Sequence, residues 1–201
     1  MATAAARASR KPKMAYIWMV RHGQAVGNGH HLLNGNRIDA PLTAEGKRQA
    51  KKLAREWKKN RPDVLLSSPL TRAVATAREL SRVWKMPIKL TKLAEEQDYG
   101  NFTGQTIDSL VAQRRWKGYF HVTKDLNQIY TLRCPHGENW AAMKKRAAEL
   151  LRWLDRHYAG KRVVVVSHSD FINCCYGVRF GLGDEQTFRR KDRPNCGWVR
   201  L

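Results

Sequence analysis

The segment KRVVVVSHS, residues 161–169, places four consecutive valines between polar residues. A short, unbroken β-branched run of this kind is typical of a strand that is buried on both faces, as in a parallel sheet covered by helices. The run leads directly into His168, so the predicted strand carries a histidine at its carboxyl end. We therefore predict a buried central strand here, with helices packed on both of its faces.

The segments on the amino-terminal and carboxyl-terminal sides of this run alternate between strand and helix patterns. The predicted strands are YIWMV (16–20), DVLLSS (63–68), IKLTKL (88–93) and CGWVRL (196–201). The predicted helices are 42–60, 70–84 and 138–158, with Thr43 as the N-cap of the first. This alternation predicts an α/β fold in three layers, α/β/α, around a mostly parallel central sheet. We expect the less regular stretch from Gly104 to Cys134 to form a small lobe over the sheet.

The chain has 201 residues, enough for one domain with a substantial core. No apolar run approaches the ~18 residues of a membrane span. Residues 1–13 carry four basic and no acidic residues and lack the apolar centre of a secretory signal. We expect a disordered basic tail over 1–13, with Met14 as an alternative start, and one domain over 14–201. The composition of the tail leaves organelle targeting open.

The four cysteines favour a reducing compartment such as the cytoplasm. Cys134, Cys174, Cys175 and Cys196 form no Cys-x-x-Cys pair, and adjacent cysteines rarely make a good metal site or disulfide.

The charge of the chain is its most unusual bulk property. Lysine and arginine number 38 against 17 acidic residues, a net charge of +21. A magnitude of ~2–8 suffices for the solubility of a small domain. The excess would concentrate anions at the surface, and nucleic acid, phosphorylated metabolites, polyphosphate and anionic lipid all fit it.

Polar side chains follow three of the predicted strands. YIWMV runs into Arg21 and His22, the valine run into His168, and DVLLSS is followed by Arg72 in the first turn of a helix. Ligands of open α/β sheets bind outside the carboxyl ends of the strands, so these groups should share one rim. The guanidinium group of arginine can donate two parallel hydrogen bonds to phosphate oxygens. A neutral imidazole can attack phosphorus when its other ring nitrogen donates a hydrogen bond to a carbonyl.

Six motifs occur together and in order along the chain. They are RHGQ (21–24) with Asn28, DAPLTAEG (39–46), SSPLTRAVATA (67–77), EQDYGNFTG (96–104), PHGEN (135–139) and VVVVSHSD (163–170). In this set the chain resembles the histidine phosphatase superfamily, which contains cofactor-dependent phosphoglycerate mutase, from Ala15 to Leu201. The resemblance implies a phosphoglycerate mutase-like fold.

The resemblance assigns three catalytic roles. His22 would be the nucleophile that forms a phosphohistidine, and His168 would stabilise negative charge in the transition state. Glu96 would be the general acid for the leaving oxygen, with its neighbour Glu95 as the competing candidate.

Further residues would bind the phosphoryl group. The resemblance places Arg21 and Arg72 on its oxygens and Asn28 in contact with it. The backbone amide of Ser169, at a predicted helix N-terminus, would add a donor. The resemblance implies neither a metal nor a cofactor, because the arginines and His168 supply the positive charge.

The predicted function is a metal-independent phosphatase acting on an anionic, phosphorylated substrate. About thirty residues separate Gly104 from Pro135, a compact form that resembles the family's phosphatases, since its mutases carry a longer insertion. A phosphoglycerate-type mutase is the alternative. A nucleic-acid or polyanion binder built on this fold is the alternative of another class.

Other segments keep two interpretations. His30 and His31 lie at the substrate entrance or bind a metal. RRWKGYF (114–120) packs the lobe or stacks nucleobases, and FRRKDR (188–193) is a solvated loop or a basic rim facing substrate. Glu138 is a favourable charge at a helix N-terminus or acts near the site. The helix positions of Trp57 and Trp153 predict core residues.

Overall fold

The computed structural model describes residues 14–28, 32–106, 109–110, 112–113, 134–188, 190 and 193–201. Its strands are β1 (Tyr16–Arg21), β2 (Val64–Ser67), β3 (Ile88–Leu90), β4 (Arg162–Ser167) and β5 (Trp198–Arg200). Its α-helices are α1 (Ala44–Glu56), α2 (Thr71–Trp84), α3 (Trp140–His157), α4 (Ser169–Phe180) and α5 (Asp184–Phe188). Short 3-10 turns cover Lys92–Ala94 and Gly100–Phe102.

The strands form one sheet in the order β3-β2-β4-β1-β5. The first four strands run parallel, and β5 pairs with β1 in the antiparallel direction. The valine run occupies the central strand β4, and each of its four valines is 1% exposed or less. The predicted α/β fold with a mostly parallel sheet is therefore confirmed.

Helices cover both faces of the sheet. Val164 and Val166 of β4 pack with residues of α1 and α2, while Val163 and Val165 pack with residues of α3 and α4. Successive side chains of a strand point to opposite faces, so the same four valines serve both cores. Trp57 belongs to the α1–α2 core, and Trp153 packs on the edge of the other.

Side-chain N-caps mark the first residues of two helices. Thr43 accepts a hydrogen bond from the Gly46 amide at 3.0 Å and begins α1. Asn139 accepts one from the Ala142 amide at 2.8 Å and begins α3. Both caps satisfy amides that have no partner inside the helix.

The predicted strand over 88–93 was wrong in its second half. β3 ends at Leu90, and Lys92–Ala94 form a 3-10 turn that Thr91 caps by accepting from the Leu93 amide at 3.3 Å. β3 is an edge strand, and two of its three residues are exposed. A longer strand would therefore bury little additional apolar surface, although the alternating sequence pattern continues to Leu93.

The predicted tail over 1–13, most of the predicted lobe over 104–134, His30, His31 and RRWKGYF (114–120) lie outside the described residues. Leu110, from the described part of that stretch, is fully buried with Leu33 and Phe102. Within the described ranges, no helix combines the length and the apolar character needed to cross a bilayer. The four cysteines are free thiols, and three of them are buried.

Candidate active site

The carboxyl ends of β1 and β4 bring the two predicted histidines together. Arg21, the last residue of β1, is in register with Ser167, the last residue of β4. His22 and His168 follow directly, with ring centroids 5.0 Å apart and planes inclined by 60°. Both side chains are buried, which costs free energy for polar rings unless they form hydrogen bonds.

His22 is held in one neutral tautomer. Its Nδ1 lies 2.6 Å from the Gly23 carbonyl oxygen and must donate to it, which leaves the lone pair on Nε2. Burial and, next, the charge of Arg72 lower the pKa of His22 to about 3, although the Gly23 carbonyl opposes them. The imidazole is therefore neutral at neutral pH, with the free Nε2 lone pair that a nucleophile requires.

Two glycines bring the loop after β1 against the start of α1. A Cβ on Gly23 would lie 2.5 Å from the Gly46 carbonyl oxygen, and a Cβ on Gly46 would lie 2.0 Å from that of Gln24. The Gly23 amide also donates to Thr76 Oγ1 at 3.0 Å, and the Thr76 hydroxyl donates to the Arg72 carbonyl. The loop that carries His22 is thereby tied to the helix that carries Arg72.

His168 is fully buried behind His22. Its Nε2 forms a hydrogen bond with Ser68 Oγ at 2.9 Å, and that hydroxyl oxygen accepts from the Leu70 amide at 3.3 Å. Its Nδ1 has no hydrogen-bond partner among the described residues and is the ring atom that a ligand could contact. Burial and, next, the neighbouring His22 lower the pKa of His168, which favours its neutral form. An anion bound beside the ring would act in the opposite direction and favour protonation.

Arg72 is presented by the first turn of α2 and is 3% exposed. Its Nη2 donates to the Gly35 carbonyl at 2.7 Å and its Nη1 to the Ile38 carbonyl at 3.0 Å. Burial lowers the pKa of Arg72, and the carboxylate of Glu96 opposes that shift most strongly. The guanidinium is thus a fixed, buried positive charge beside Glu96.

The segment before β5 supports Arg21 and His22 from behind. Arg21 donates from Nη1 to the Arg193 carbonyl, and Asn195 donates from Nδ2 to the His22 carbonyl at 3.2 Å. The Arg21 Nε is buried and without a partner among the described residues, as are Nε and Nη2 of Arg193. Unpaired buried guanidinium donors are the kind of group that an anion satisfies.

Glu96 and Glu95 have different surroundings. Burial and the neighbouring Asp170 raise the pKa of Glu96 to about 7, while Arg72 and Arg146 oppose the shift. Glu96 accepts from the Gln97 amide at 3.0 Å, whereas Glu95 accepts from Asn36 at 3.3 Å. A carboxyl whose pKa lies near neutrality beside a buried arginine is suited to general acid catalysis, which favours Glu96 over Glu95 as the predicted acid.

Arg146 of α3 was not among the predicted site residues. It forms two hydrogen bonds with the Glu138 carboxylate, at 2.7 and 3.0 Å, and donates to the carbonyls of Leu93, Glu95 and Glu96. Glu138 is therefore the partner of an arginine that holds the loop bearing Glu96. Arg146 lies four residues before the fully buried Leu150, so both residues lie on the same face of α3. An arginine on the buried face of a predicted helix was the sequence signal that could have identified it.

Two further predicted residues lie at chain turns. Ser169 is buried and is the first residue of α4. Its neighbour Asp170, in the first turn of that helix, accepts a hydrogen bond from the Tyr99 hydroxyl at 3.0 Å. Asn28 is exposed, and its Oδ1 accepts from the Ala25 amide at 2.8 Å. The contact of Asn28 with a phosphoryl group stays a prediction.

Among the residues that the structure describes, no group of three or more His, Cys, Asp or Glu side chains is placed to hold a metal ion. That observation leaves the prediction of metal-independent chemistry untested.

Comparison with known families agrees with this fold. Residues 17–201 match the model of the histidine phosphatase superfamily, branch 1, and the chain belongs to this family.

Its relatives carry both phosphatase and mutase names. The probable phosphoglycerate mutase GpmB of Photorhabdus laumondii is 28% identical over 189 residues, covering 94% of this chain and 85% of that protein. Phosphoserine phosphatase 1 of Hydrogenobacter thermophilus is 26% identical over 174 residues, covering 84% and 78%. The structure of phosphoserine phosphatase from Entamoeba histolytica in complex with 3-phosphoglyceric acid superposes with a TM-score of 0.78 at 25% identity, covering 93% and 90%.

Proposed function

We propose that this protein hydrolyses phosphate monoesters without a metal, through a phosphohistidine on His22. The observation that carries the proposal is the neutral, buried His22 ring, whose Nδ1 is held by a carbonyl and which lies 5.0 Å from His168. Family membership supports it, since phosphatases are among the relatives.

The first step is a transfer of the phosphoryl group to His22. The Nε2 lone pair forms a bond to phosphorus as the bond from phosphorus to the leaving oxygen breaks. Glu96, protonated below its pKa of about 7, gives its proton to that oxygen, so an alcohol departs. Arg21, Arg72 and His168 stabilise the charge on the transferring oxygens.

The second step returns the enzyme to its starting state. The Glu96 carboxylate takes a proton from water as the water oxygen bonds to phosphorus. The bond between phosphorus and Nε2 breaks, and inorganic phosphate leaves. His22 is again neutral and Glu96 again protonated, so protons and charge balance over the cycle.

A mutase is the second candidate, favoured by the 28% identity to a probable phosphoglycerate mutase. It would use the same phosphohistidine but pass the group to a second hydroxyl in place of water. The two candidates differ in the acceptor alone.

The test is phosphate release from p-nitrophenyl phosphate, phosphoserine, 3-phosphoglycerate and a sugar bisphosphate, with chelator present. We expect release by the wild type and a loss of about a thousandfold or more in His22→Ala. His157→Ala, at an exposed histidine of α3, is the matched control and should retain full activity.

Trapping the intermediate completes the experiment. Brief reaction with phosphate-labelled substrate should label the wild type and not His22→Ala, with the acid-labile, alkali-stable behaviour of a phosphohistidine. Activity that chelator abolishes, or that survives His22→Ala, contradicts the proposal. Transfer to a second phosphoglycerate position without release of phosphate favours the mutase.

A further inference from the structure

A cavity of about 260 Å³ lies on the α1–α2 face of the sheet, beside the edge strand β5. We call it the tryptophan cavity, and its lining consists of Trp18, Trp57, Asn60, Pro62, Arg162, Val164 and Trp198. None of these residues belongs to the candidate active site. The volume is near the lower end of the ~300–1,000 Å³ of small-molecule pockets, which suits one planar ring system.

The tryptophan cavity has one exposed ring, Trp198 on the edge strand β5, and one buried ring, Trp57 at the end of α1. Trp198 is 48% exposed, and its ring meets Trp57 edge-on at 5.2 Å between centroids. Arg200 lies over the ring of Trp18 at 5.4 Å and over that of Tyr16 at 5.8 Å. Exposed tryptophan at a sheet edge is unusual, and an indole face is a good platform for stacking.

Positive charge surrounds the tryptophan cavity. The segment WKKNRP (57–62), which supplies Trp57, Asn60 and Pro62 to the lining, also carries exposed Lys58, Lys59 and Arg61. Arg162 lines the cavity with Nε 3.9 Å from a carboxylate oxygen of Asp63, a loose surface pair that leaves the arginine available.

A second cavity continues the first. It has a volume of about 370 Å³, shares Trp198 with the tryptophan cavity, and extends along α1 past Lys52 to Arg193. Its acidic group is Glu56, which lies 3.9 Å from Lys52. The two cavities meet at Trp198 and form a track with aromatic rings at one end and Arg193 at the other.

We propose that this track binds single-stranded nucleic acid, with a base stacked in the tryptophan cavity and phosphates on the neighbouring lysines and arginines. Aromatic platforms in a basic groove are the recurring means of holding single strands. Two other occupants fit the charge poorly. A second copy of this chain, at +21, and residues 1–13, with four basic and no acidic residues, would both bring positive charge onto a basic surface.

The first test measures the affinity of the full chain for a fluorescein-labelled oligothymidylate of about 12 nucleotides by fluorescence anisotropy. We expect Trp198→Ala to bind about five- to a hundredfold more weakly, the range of one lost base stack. Phe180→Ala, which removes another exposed ring, is the matched control and should bind as the wild type does.

The second test separates stacking from charge. Lys58→Gln/Lys59→Gln should reduce the slope of log affinity against log salt by about 1.4, at ~0.7 per phosphate contact on a single strand. Arg152→Gln/Arg156→Gln, at exposed positions of α3, should leave the slope unchanged. Inorganic polyphosphate should compete less well than unlabelled oligothymidylate of equal charge.

Three outcomes would overturn the proposal: wild-type affinity in Trp198→Ala, equal competition by polyphosphate, or equal salt slopes in the two charge variants. Trp198→Leu keeps the apolar bulk without the ring and should show the same loss as Trp198→Ala, which guards against a folding defect. The proposed binding site is separate from the proposed phosphatase site. His22→Ala should therefore bind the oligonucleotide normally, and Trp198→Leu should retain phosphate release.

Discussion

His22 and Glu96 have pKa values displaced in opposite directions, to about 3 and about 7. Burial is the largest cause of both shifts, because it disfavours the charged form of each group. Between these two pKa values the histidine is neutral and the carboxyl protonated, which is the combination that nucleophilic attack and leaving-group protonation require. The two groups therefore share one working pH range.

Glu96→Gln should affect substrates according to their leaving groups. We expect hydrolysis of an alkyl phosphate such as phosphoserine to fall by ~10²–10⁴-fold, the usual contribution of a general acid. p-Nitrophenyl phosphate should lose far less in the phosphoryl-transfer step, because nitrophenolate departs without a proton. Burst kinetics on both substrates measure this step, and Glu95→Gln is the control. A larger effect of Glu95→Gln would reassign the general acid.

The pH dependence follows from the same carboxyl. In the proposed mechanism protonated Glu96 is the active form in the first step, so kcat/KM for an alkyl phosphate should fall as the pH rises through about 7. His22 stays neutral down to about 3 and should add no acidic limb above that pH. A pH–rate profile of the wild type checks the alkaline limb, which should vanish in Glu96→Gln.

At the scale of elements, α3 supports the loop that bears Glu96. Arg146 joins this helix to three carbonyls of the loop and lies over the ring of Phe171 of α4 at 4.4 Å. Its charge also lowers the pKa of Glu96. We therefore predict that Arg146 is a positioning residue that acts through Glu96.

Replacing Arg146 should change the pH profile as well as the rate. In Arg146→Gln the pKa of Glu96 rises, so the alkaline limb of kcat/KM should move to higher pH while kcat falls. Arg152→Gln, at an exposed position of the same helix, should leave the profile unchanged. A reduced rate with an unmoved limb would mean that Arg146 has a structural role alone.

The packing of α3 on the sheet sets a second expectation. Leu154 is fully buried between α3 and the sheet, so Leu154→Ala should lower the free energy of unfolding by ~2–5 kcal/mol. Leu90→Ala, at the 58% exposed end of β3, should change it by less than ~1 kcal/mol. Urea unfolding of both variants measures the difference, and equal losses would contradict this assignment of the core.

Some elements were predictable because one physical signal dominated them. The valine run and the apolar faces of α1, α2 and α3 indicated burial directly, and Thr43 marked a helix start. Helix α1 stops at Glu56, earlier than predicted, because the chain after it closes a tighter turn with Lys58 donating to the Arg55 carbonyl. That turn depends on local backbone geometry that periodicity does not report.

The candidate site divides in the same way. His22, His168 and Arg72 were predictable because strand ends converge at one edge of a parallel sheet. The pairing of Ser68 with His168 links residues 100 positions apart, and the contacts of Arg146 with 93–96 are also distant in sequence. Such contacts follow from strand register and helix rotation, which a single sequence does not specify.

At the scale of the whole molecule, the buried histidines link folding to pH. In the unfolded chain His22 binds a proton below about 6.5, whereas in the folded chain it does so only below about 3. The unfolded state therefore holds more protons between these values, and stability should fall as the pH is lowered through this window. His168 acts in the same direction, while the raised pKa of Glu96 acts in the opposite one.

His22→Gln isolates the contribution of one histidine. Its urea midpoint should decline less steeply than that of the wild type between about pH 6.5 and pH 4, because Gln does not titrate. His157→Gln is the exposed control and should follow the wild type. Parallel curves for wild type and His22→Gln would mean that His22 is protonated in the folded protein.

The net charge of +21 belongs to this scale too. We expect kcat/KM to fall more steeply with salt for a bisphosphorylated or polyphosphorylated substrate than for a monoester, because long-range attraction grows with substrate charge. Steady-state kinetics across ionic strength measure both slopes. Equal slopes and equal specificity constants would mean that the charge serves another partner.

The indole of Trp57 has close neighbours on two elements, Trp198 at 5.2 Å and Trp84 at 6.3 Å between ring centroids. At such separations the electronic transitions of neighbouring indoles couple, and the pair rotates polarised light in a way that neither ring does alone. The coupling exists only when α1, α2 and β5 have assembled. The protein therefore carries an optical signature of tertiary structure in this half, which circular dichroism can follow separately from its helix content.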